Sequence, residues 1–377
     1  MSSTNSFVCP TPFVPDTDYP SSRGYIAGRF CGLNPSGSGQ KCCLPCPIQD
    51  WVYSDDFLSH LQTANWLGVA SFSLICFLLI SYLVLPSNKS GRHYLTIGTA
   101  IAVISAELLQ LGLFIPLGTK PDLCYDNITP NWQATDNSCA WSGALLSLGS
   151  VGVAYWVMLR AIWLNIRVCW DKDPGKWFMI FGIASGIALP VLFTALSVSI
   201  TGVAYRVGMT CLPNHDHAME TLWVWQIIFS VASLVIQLGT TVYCVYIYVR
   251  VLMQSRGQSF NSNSYGQSSQ KPQTAWRRLR QLLLLQWRTI TLTLIVTIET
   301  LYFVLIFWAQ DRRFGEVNTA VTTASTVRTW SACLVLSQGN KNDCIHYTNK
   351  IRLPESSVLG SLILLGVSNI GSLNPPY

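Results

Sequence analysis

Few groups of residues in this sequence have the types and spacing that catalysis or metal binding requires. Cys43-Leu-Pro-Cys46 has the C-x-x-C spacing of redox and zinc sites. Redox use needs a βαβ context and structural zinc needs a second pair of ligands, and neither accompanies these two cysteines, so we favour disulfide bonding. His215-Asp216-His217 has no third ligand, which is more typical of a solvated turn than of a metal site. No spacing elsewhere indicates a hydrolase, kinase or deaminase, and we expect no catalytic residue, no cofactor and no metal.

Glu107 and Glu299 each lie within an apolar stretch long enough to enter a membrane. An ionised glutamate facing lipid costs about 2.5 kcal/mol or more, so each side chain must face the protein interior and find a partner or stay protonated. Two interpretations stay open. Each carboxyl either contacts an ion, a ligand or a moving helix, or makes a structural hydrogen bond between helices.

The composition places these residues in a membrane protein. Half of the 377 residues are hydrophobic and only 11% are charged, against about 25% charged in a soluble domain. The 14 tryptophans add to this signal because indoles favour the bilayer interface. The net charge of +6 describes topology, since no soluble domain with a basic face is present to bind nucleic acid. No charged segment followed by an apolar one opens the chain, and we expect no cleaved signal peptide.

Seven apolar stretches have the length that a membrane-spanning helix needs. They cover approximately residues 64–85, 94–117, 140–163, 177–200, 222–249, 287–309 and 356–373, of which the last is the weakest. We predict an all-α membrane protein, a bundle of seven transmembrane helices over residues 63–377. In the fourth stretch Gly182-xxx-Gly186 either allows close approach of helix backbones or is a chance spacing in a glycine-rich helix.

The first 62 residues differ from the rest in being polar, turn-rich and rich in proline and cysteine. Prolines disfavour long helices here, and apolar residues are too few for an independent core. We therefore predict a small extracellular cap stapled by disulfides. Its five cysteines are Cys9, Cys31, Cys42, Cys43 and Cys46.

Charge orients the bundle. With the N-terminus outside, the three inner loops, counted with Arg160 and Arg288 at the adjoining span ends, hold 13 Lys or Arg and 2 Asp or Glu, and the outer segments hold 11 Lys or Arg and 14 Asp or Glu. Positive residues collect in short cytoplasmic loops, so this orientation is favoured.

Residues 250–286 form a basic cytoplasmic loop of low complexity that should be partly disordered. Residues 311–354 form an outer loop, in which Val317 to Leu336 is apolar enough to pack on the bundle as an interfacial helix. The sequon at Asn127 is outside in this topology and is a predicted glycosylation site.

Cysteine positions support the same orientation independently. Ten of the 13 cysteines fall on the proposed outer side, where an oxidising compartment would cross-link them. We predict that Cys333 pairs with Cys344 across a short loop. The five cap cysteines and Cys124 make six, and six cysteines allow fifteen pairings, so their connectivity stays open.

Several motifs resemble a known family, the fungal seven-helix receptors grouped with the frizzled/smoothened type and more loosely with the secretin type. They include Phe30-Cys-Gly, Cys42-Cys-Leu-Pro-Cys-Pro, Asp50-Trp-Val-Tyr, Arg92-His-Tyr-Leu, Cys124-Tyr-Asp-Asn-Ile-Thr-Pro and Tyr205-Arg-Val-Gly-Met-Thr-Cys211. The resemblance implies a G-protein-coupled-receptor plan, in which Cys139 at the outer end of the third helix pairs with Cys211. It also suggests that Arg160 contacts a G protein, although an arginine there also suits a snorkelling membrane anchor.

The function that follows is a receptor in the plasma membrane that senses an unknown extracellular ligand and signals by helix rearrangement to a heterotrimeric G protein. Arg277, Arg278 and Arg280 in the basic loop are candidate coupling residues, but contact with acidic lipid or simple orientation would select the same charges. One alternative is a transporter or channel that uses the intramembrane carboxylates, although no internal repeat is apparent. Another is a truncated receptor homologue that does not signal.

Overall fold

The computed structural model of the chain describes most of the cap, much of the bundle and part of the loop that precedes the seventh predicted span. The ranges described are 9–20, 22–33, 40–84, 94–117, 121–214, 216–258, 290–309, 325–350, 352, 354–360 and 363. Arg277, Arg278, Arg280, His215 and most of the basic loop lie outside these residues.

The first helix, α1, spans Asp55–Val84 and therefore begins well before the predicted start at residue 64. Its early start has a local cause, because the hydroxyl of Ser54 accepts a hydrogen bond from the backbone N–H of Phe57. Asp55 and Asp56 occupy the first turn, where negative charge complements the helix dipole. As a result α1 reaches out of the apolar stretch and into the cap.

The helix α3, Asn137–Cys169, is the centre of the bundle. It contacts α2 (Tyr94–Leu117), α4 (Gly175–Leu196) and α5 (Val224–Gln258). At 1.5 Å per residue its 33 residues extend about 50 Å, more than a hydrocarbon core requires. Small residues on its buried faces allow this close contact with three neighbours.

Within the described ranges, four helices are long and apolar enough to cross a membrane. They are Asn137–Cys169, Gly175–Thr201, Met219–Ile247 and Ile290–Ala309, the last of which is α6. α1 and α2 contain shorter apolar stretches, Gly68–Ser81 and Tyr94–Ser105. Residues 355–360 and 363 are helical and lie at the beginning of the seventh predicted span. Exposed indoles lie near both ends of α3, at Trp141 and Trp170, as expected where a helix crosses two interfaces.

Two small sheets lie at the end of the bundle where α3 begins. In the cap, β1 (Val14–Pro15) and β2 (Cys31–Leu33) both pair with the central strand β3 (Lys41–Cys43). Between α4 and α5, β4 (Val203–Val207) and β5 (Thr210–Pro213) form an antiparallel hairpin. We call this element the bridging hairpin.

The alternation of side chains along β3 explains the cap disulfides. Neighbouring residues in a strand point to opposite faces, so Cys42 and Cys43 must find their disulfide partners on opposite faces of the sheet. Cys42 is joined to Cys9, and Cys43 is joined to Cys31, which lies directly opposite it in β2. The cysteines of the C-x-x-C motif are therefore not joined to each other, and Cys46 pairs with Cys124 instead.

The cap shares a hydrophobic core with a helix from the far end of the chain, α7 (Ser325–Leu336). Trp330 of α7 is fully buried and contacts Phe30 of the cap edge to face, with ring centroids 5.7 Å apart. Phe57 and Leu61 of α1 belong to the same cluster. Of the interfacial helix predicted at Val317 to Leu336, the described part α7 thus packs on the cap and α1, and this supplies the core that the cap cannot build alone.

Candidate functional site

The bridging hairpin is attached to the beginning of α3 at two points. Cys211 of β5 forms a disulfide with Cys139, and both residues are fully buried. Three residues earlier, the carboxylate of Asp136 caps α3 by accepting hydrogen bonds from the backbone N–H groups of Ser138 and Cys139. The same carboxylate also accepts a hydrogen bond from the hydroxyl of Tyr205 on β4, at 2.7 Å. A covalent and a charge-assisted contact therefore fix the hairpin to the central helix.

Tyr205 is held as a hydrogen-bond donor by its surroundings. Burial, and then the hydrogen bond to the Asp136 carboxylate, hold the pKa of Tyr205 well above its usual value near 10. The phenol therefore stays protonated across the physiological range. The contact between hairpin and helix does not depend on pH in that range.

The cap is fixed to the loop between α2 and α3 by a disulfide and an arginine. Cys46 of the cap is bonded to Cys124 of the loop. The guanidinium of Arg29 contacts Thr129 of the same loop at 2.8 Å and Asp126 at 3.8 Å. Because Arg29 is almost fully buried, these contacts lie in a medium where charge pairing is strong.

A cavity of about 90 Å³ lies where the cap, this loop and the bridging hairpin meet. Tyr25, Phe30, Gln49, Ile128, Tyr205 and Arg206 are among its lining residues. The backbone N–H of Gly208 donates to Gln49 at 2.7 Å and so closes the cap onto the hairpin. The cavity is large enough for a few water molecules or a small organic group.

One wall of the cavity continues into the bundle. The guanidinium of Arg206 lies 5.7 Å from the ring centre of Phe307 on α6. Phe307 is stacked on Trp223, immediately before α5, with ring centroids 5.0 Å apart. The hairpin is thereby in contact with the end of α6 as well as with α3, and Phe307 connects it to Trp223, immediately before α5.

The beginning of α1 is also joined to the seventh predicted span. The backbone N–H and the hydroxyl of Ser54 donate to the carboxylate of Glu355, at 3.0 and 2.9 Å. Arg352 forms an ion pair with the same carboxylate. Partial burial alone would raise the pKa of Glu355, but the Ser54 hydrogen bonds and the Arg352 charge outweigh it and hold this pKa below its usual value.

Inside the bundle, α5 carries a polar stripe that faces α3 and α6. The five residues share alternate spacings of four and three and are almost completely buried: Gln226, Ser230, Ser233, Gln237 and Thr240. Gln226 donates to Ser150 of α3 at 2.6 Å, and Thr240 accepts from Asn165 of α3 at 2.8 Å. Ser230 donates to Thr300 of α6 at 3.1 Å. The stripe thus joins the three central helices by hydrogen bonds.

The middle of the polar stripe is different from its ends. The hydroxyl of Ser233 and both amide atoms of Gln237 have no hydrogen-bond partner among the described residues, and neither has the hydroxyl of Thr293 on α6. α5 and α6 are antiparallel, since Trp223 stacks on Phe307 and Ser230 bonds Thr300. Continuing this register, Ser233 comes level with Thr297, and Gln237, one turn further along, comes level with Thr293. Within the described residues, this level therefore lacks the hydrogen bonds that hold the ends of the stripe, and we call it the weak level of the stripe.

The structure describes only some of the predicted coupling and intramembrane residues. Arg160 is half-buried on α3, which continues about 13 Å beyond it to Cys169. Glu299 is half-buried on α6. Glu107 is in α2, but the surroundings of its side chain lie outside what the structure describes. Arg277, Arg278 and Arg280 lie outside the described residues.

Other predicted residues lie at the cap end of the bundle. Asn127 is exposed, and its amide donates to the hydroxyl of Tyr19 at 2.7 Å. Cys333 is joined to Cys344. Among the described residues, Asp16, Cys31 and Cys43 form a group of metal-ligating residue types, but the two cysteines are joined in a disulfide and offer no thiolate.

Inspection of the sequence alone did not identify the polar stripe, Tyr205 or Gln49 as functional residues. The stripe had a detectable signal, because polar residues repeat every three to four positions through an otherwise apolar fifth span. Tyr205 and Gln49 had none, since each acts through a partner distant in the chain. Asp136 had a local signal, because an aspartate directly before a helix is a preferred N-cap.

Comparison with known proteins agrees with this architecture. The chain is 36% identical to the G protein-coupled receptor gprM of Aspergillus fumigatus (strain CBS 144.89 / FGSC A1163 / CEA10), over 95% of this chain and 72% of that protein. It is 23% identical to Frizzled and smoothened-like protein G of Dictyostelium discoideum, over 91% of this chain and 53% of that protein. No protein-family model matches. The crystal structure of squid rhodopsin aligns over 81% of both chains with a TM-score of 0.43 and 12% identity, which is too slight a likeness to carry an argument.

These observations define an integral membrane receptor built as a helical bundle with a disulfide-stapled cap. The chain belongs to the G-protein-coupled receptor family. The resemblance to fungal receptors of the frizzled/smoothened type is confirmed, and the protein is a receptor rather than an enzyme.

Proposed function

We propose that this receptor lies in the plasma membrane with its N-terminal cap outside, binds an extracellular ligand at the cap, and passes the signal to a heterotrimeric G protein. The observation that carries the proposal is the bridging hairpin. Its Gly208 donates a hydrogen bond to Gln49 of the cap. Its Cys211 is joined to Cys139 of α3 by a disulfide. A ligand that moves the cap therefore acts directly on the central helix.

The distribution of sulfur supports the proposed orientation. All five disulfides lie in the cap, in the loops beside it or at the adjoining beginning of α3. Cys76, Cys169 and Cys244 are outside these disulfides and lie along or beyond the apolar stretches. Disulfides persist in an oxidising compartment, so the cap end is expected to face outward.

The ligand would bind in or over the cavity between cap, loop and hairpin. The lining residue Arg206 contacts Phe307, which is stacked on Trp223, so a change in the cavity wall reaches α5 and α6. The weak level of the polar stripe at Ser233 and Gln237 is where α5 and α6 would exchange one packing for another. The ligand shifts this equilibrium only by its difference in affinity for the two arrangements.

At the other end, Arg160 and the basic loop are the proposed contacts with the G protein. The test is agonist-independent nucleotide exchange and pull-down with heterotrimeric G protein, using the purified receptor in detergent. Arg160→Ala is expected to lower both signals strongly. The matched control is Arg167→Ala on the same helix, whose side chain is more than half exposed and pairs with Asp173. Equal signals from both variants and the wild type would exclude Arg160 as a coupling residue.

A further inference from the structure

Two cysteines outside the disulfides lie on neighbouring helices at the end of the bundle opposite the cap. Cys169 is the last residue of α3, and Cys244 is on α5. Both are half-buried. The receptor mechanism proposed above uses neither of them, and the cap disulfides do not explain their position.

The register of α3 against α5 places the two thiols side by side. Ser150 pairs with Gln226 and Asn165 pairs with Thr240, so the helices run parallel and advance by nearly equal numbers of residues between these contacts. Cys169 lies four residues after Asn165, and Cys244 lies four residues after Thr240. One helical turn beyond the second contact, the next facing positions are therefore the two cysteines.

Direct contacts agree with this register. The amide of Asn165 donates to the sulfur of Cys169 at 3.6 Å while it also donates to Thr240. The same amide therefore connects the sulfur of Cys169 to Thr240 of α5, one turn before Cys244. The two thiols thus share one environment.

Packed helices bring facing positions within reach of a cross-link. Their axes lie about 8–10 Å apart, and each Cα lies about 2.3 Å from its axis. Facing Cα atoms can therefore approach to the range of about 4.4–6.8 Å that a disulfide requires. A structural zinc site is less suitable here, since it uses four ligands and this cluster offers two thiols, an amide and a hydroxyl.

We propose that Cys169 and Cys244 form an oxidation site, at which a peroxide converts the two thiols into a disulfide that joins α3 to α5. The proposal does not depend on the ligand or on the G protein. The disulfide adds a covalent state of the receptor in which α3 and α5 cannot separate at this end of the bundle.

The chemistry balances with hydrogen peroxide as the oxidant. The Cys169 thiolate attacks one peroxide oxygen, the O–O bond breaks, and hydroxide leaves as a sulfenic acid forms. The Cys244 thiolate then attacks that sulfur, the S–S bond forms, and a second hydroxide leaves. The two thiol protons convert the hydroxides to two waters, so two electrons pass from sulfur to peroxide. Asn165 is placed to stabilise the first thiolate by its N–H group.

The test uses the purified full-length receptor in detergent, titrated with hydrogen peroxide, then alkylated and digested without reduction. Mass spectrometry is expected to find a peptide that joins Cys169 to Cys244 and to show loss of both alkylated thiols together. Cys76 on α1 is the internal control and should stay alkylated at the same peroxide concentration. Dithiothreitol should restore both thiols.

A Cys244→Ser variant separates the two steps. Without a resolving thiol, Cys169 should accumulate as a sulfenic acid that dimedone traps, and the cross-linked peptide should be absent. The proposal is overturned if Cys169 and Cys244 in the wild-type receptor remain as alkylatable as Cys76. It is also overturned if they oxidise only to separate sulfinic acids.

Discussion

The indole of Trp156 on α3 occupies the space that a side chain at Gly186 of α4 would need. Gly98 of α2 contacts the other part of the same ring, where an added Cβ would lie 2.6 Å from Trp156. Trp156 is thus held between two glycines on two helices and fixes their approach to α3. This contact decides which glycine of Gly182-xxx-Gly186 matters, because a Cβ at Gly182 would meet only Tyr94 at an ordinary 3.6 Å.

We predict that Gly186→Ala destabilises the receptor and that Gly182→Ala does not. A methyl group forced against a fixed indole costs about 1–3 kcal/mol. At Gly182 the substitution removes backbone entropy from the unfolded chain and is expected to be neutral or to stabilise by up to about 1 kcal/mol. Thermal unfolding of both variants in detergent measures the difference. Equal melting temperatures would show that Trp156 can move.

Hydropathy predicted the approximate positions of the described helices because each helix that crosses a bilayer must be apolar over a fixed length. It did not predict that α1 begins at Asp55, since this depends on Ser54 as a cap and on contacts with Glu355, which lies at the other end of the chain. The sequence predicted that the interfacial helix packs on the bundle, but for a similar reason it did not predict that this helix also packs on the cap. Its buried Trp330 packs on cap residues whose proximity no local pattern reveals.

The cap shows the same division. Cysteine counting predicted a stapled N-terminal segment, but fifteen pairings of six cysteines were open. The choice follows from the alternation of Cys42 and Cys43 along β3 and from the loop that brings Cys124 to Cys46. Both are consequences of tertiary structure. The polar stripe, in contrast, was detectable as a repeat and was missed.

Tyr205→Phe is expected to weaken the attachment of the bridging hairpin to α3. A hydrogen bond to a charged acceptor contributes about 1.5–3 kcal/mol. Because the folded pKa of Tyr205 is raised above its unfolded value near 10, the contribution is fully present below pH 10 and is lost as the pH rises further. The melting temperatures of wild type and variant should therefore differ by a constant amount from pH 7 to about 10. A difference that changes within that range would contradict the assignment.

Glu355 should make the receptor sensitive to acid. Its folded pKa is lowered, so its contribution is present above the unfolded value near 4.5 and is lost as the pH falls through the folded value. Glu355→Gln removes this titration, and the difference in melting temperature between wild type and variant should shrink from pH 6 toward pH 3. Asp343→Asn, which changes an acidic residue of the preceding loop, serves as the control, and a similar loss of acid dependence there would exclude a special role for Glu355.

Glycosylation tests the orientation of the membrane protein. Asn127 is exposed beside the cap and would be outside in the proposed topology. Asn127→Gln should remove a glycan-sized shift in electrophoretic mobility. Asn88→Gln, at the sequon Asn88-Lys-Ser90 in the first predicted inner loop, should change nothing. A shift that depends on Asn88 and not on Asn127 would invert the topology.

The two glutamines of the polar stripe should respond in opposite ways to the same substitution. Gln226 donates to Ser150, so Gln226→Met removes a hydrogen bond between α5 and α3 and should lower stability by about 0.5–1.5 kcal/mol. Gln237 has no partner among the described residues, and methionine has nearly the same volume, so Gln237→Met should leave stability unchanged or raise it. If the unsatisfied level at Gln237 is where α5 and α6 exchange packing, that variant should also lower agonist-independent nucleotide exchange while Gln226→Met does not. Thermal unfolding and the exchange assay measure the two effects separately, and a Gln237→Met variant that unfolds as early as Gln226→Met would show that Gln237 is satisfied in the folded receptor.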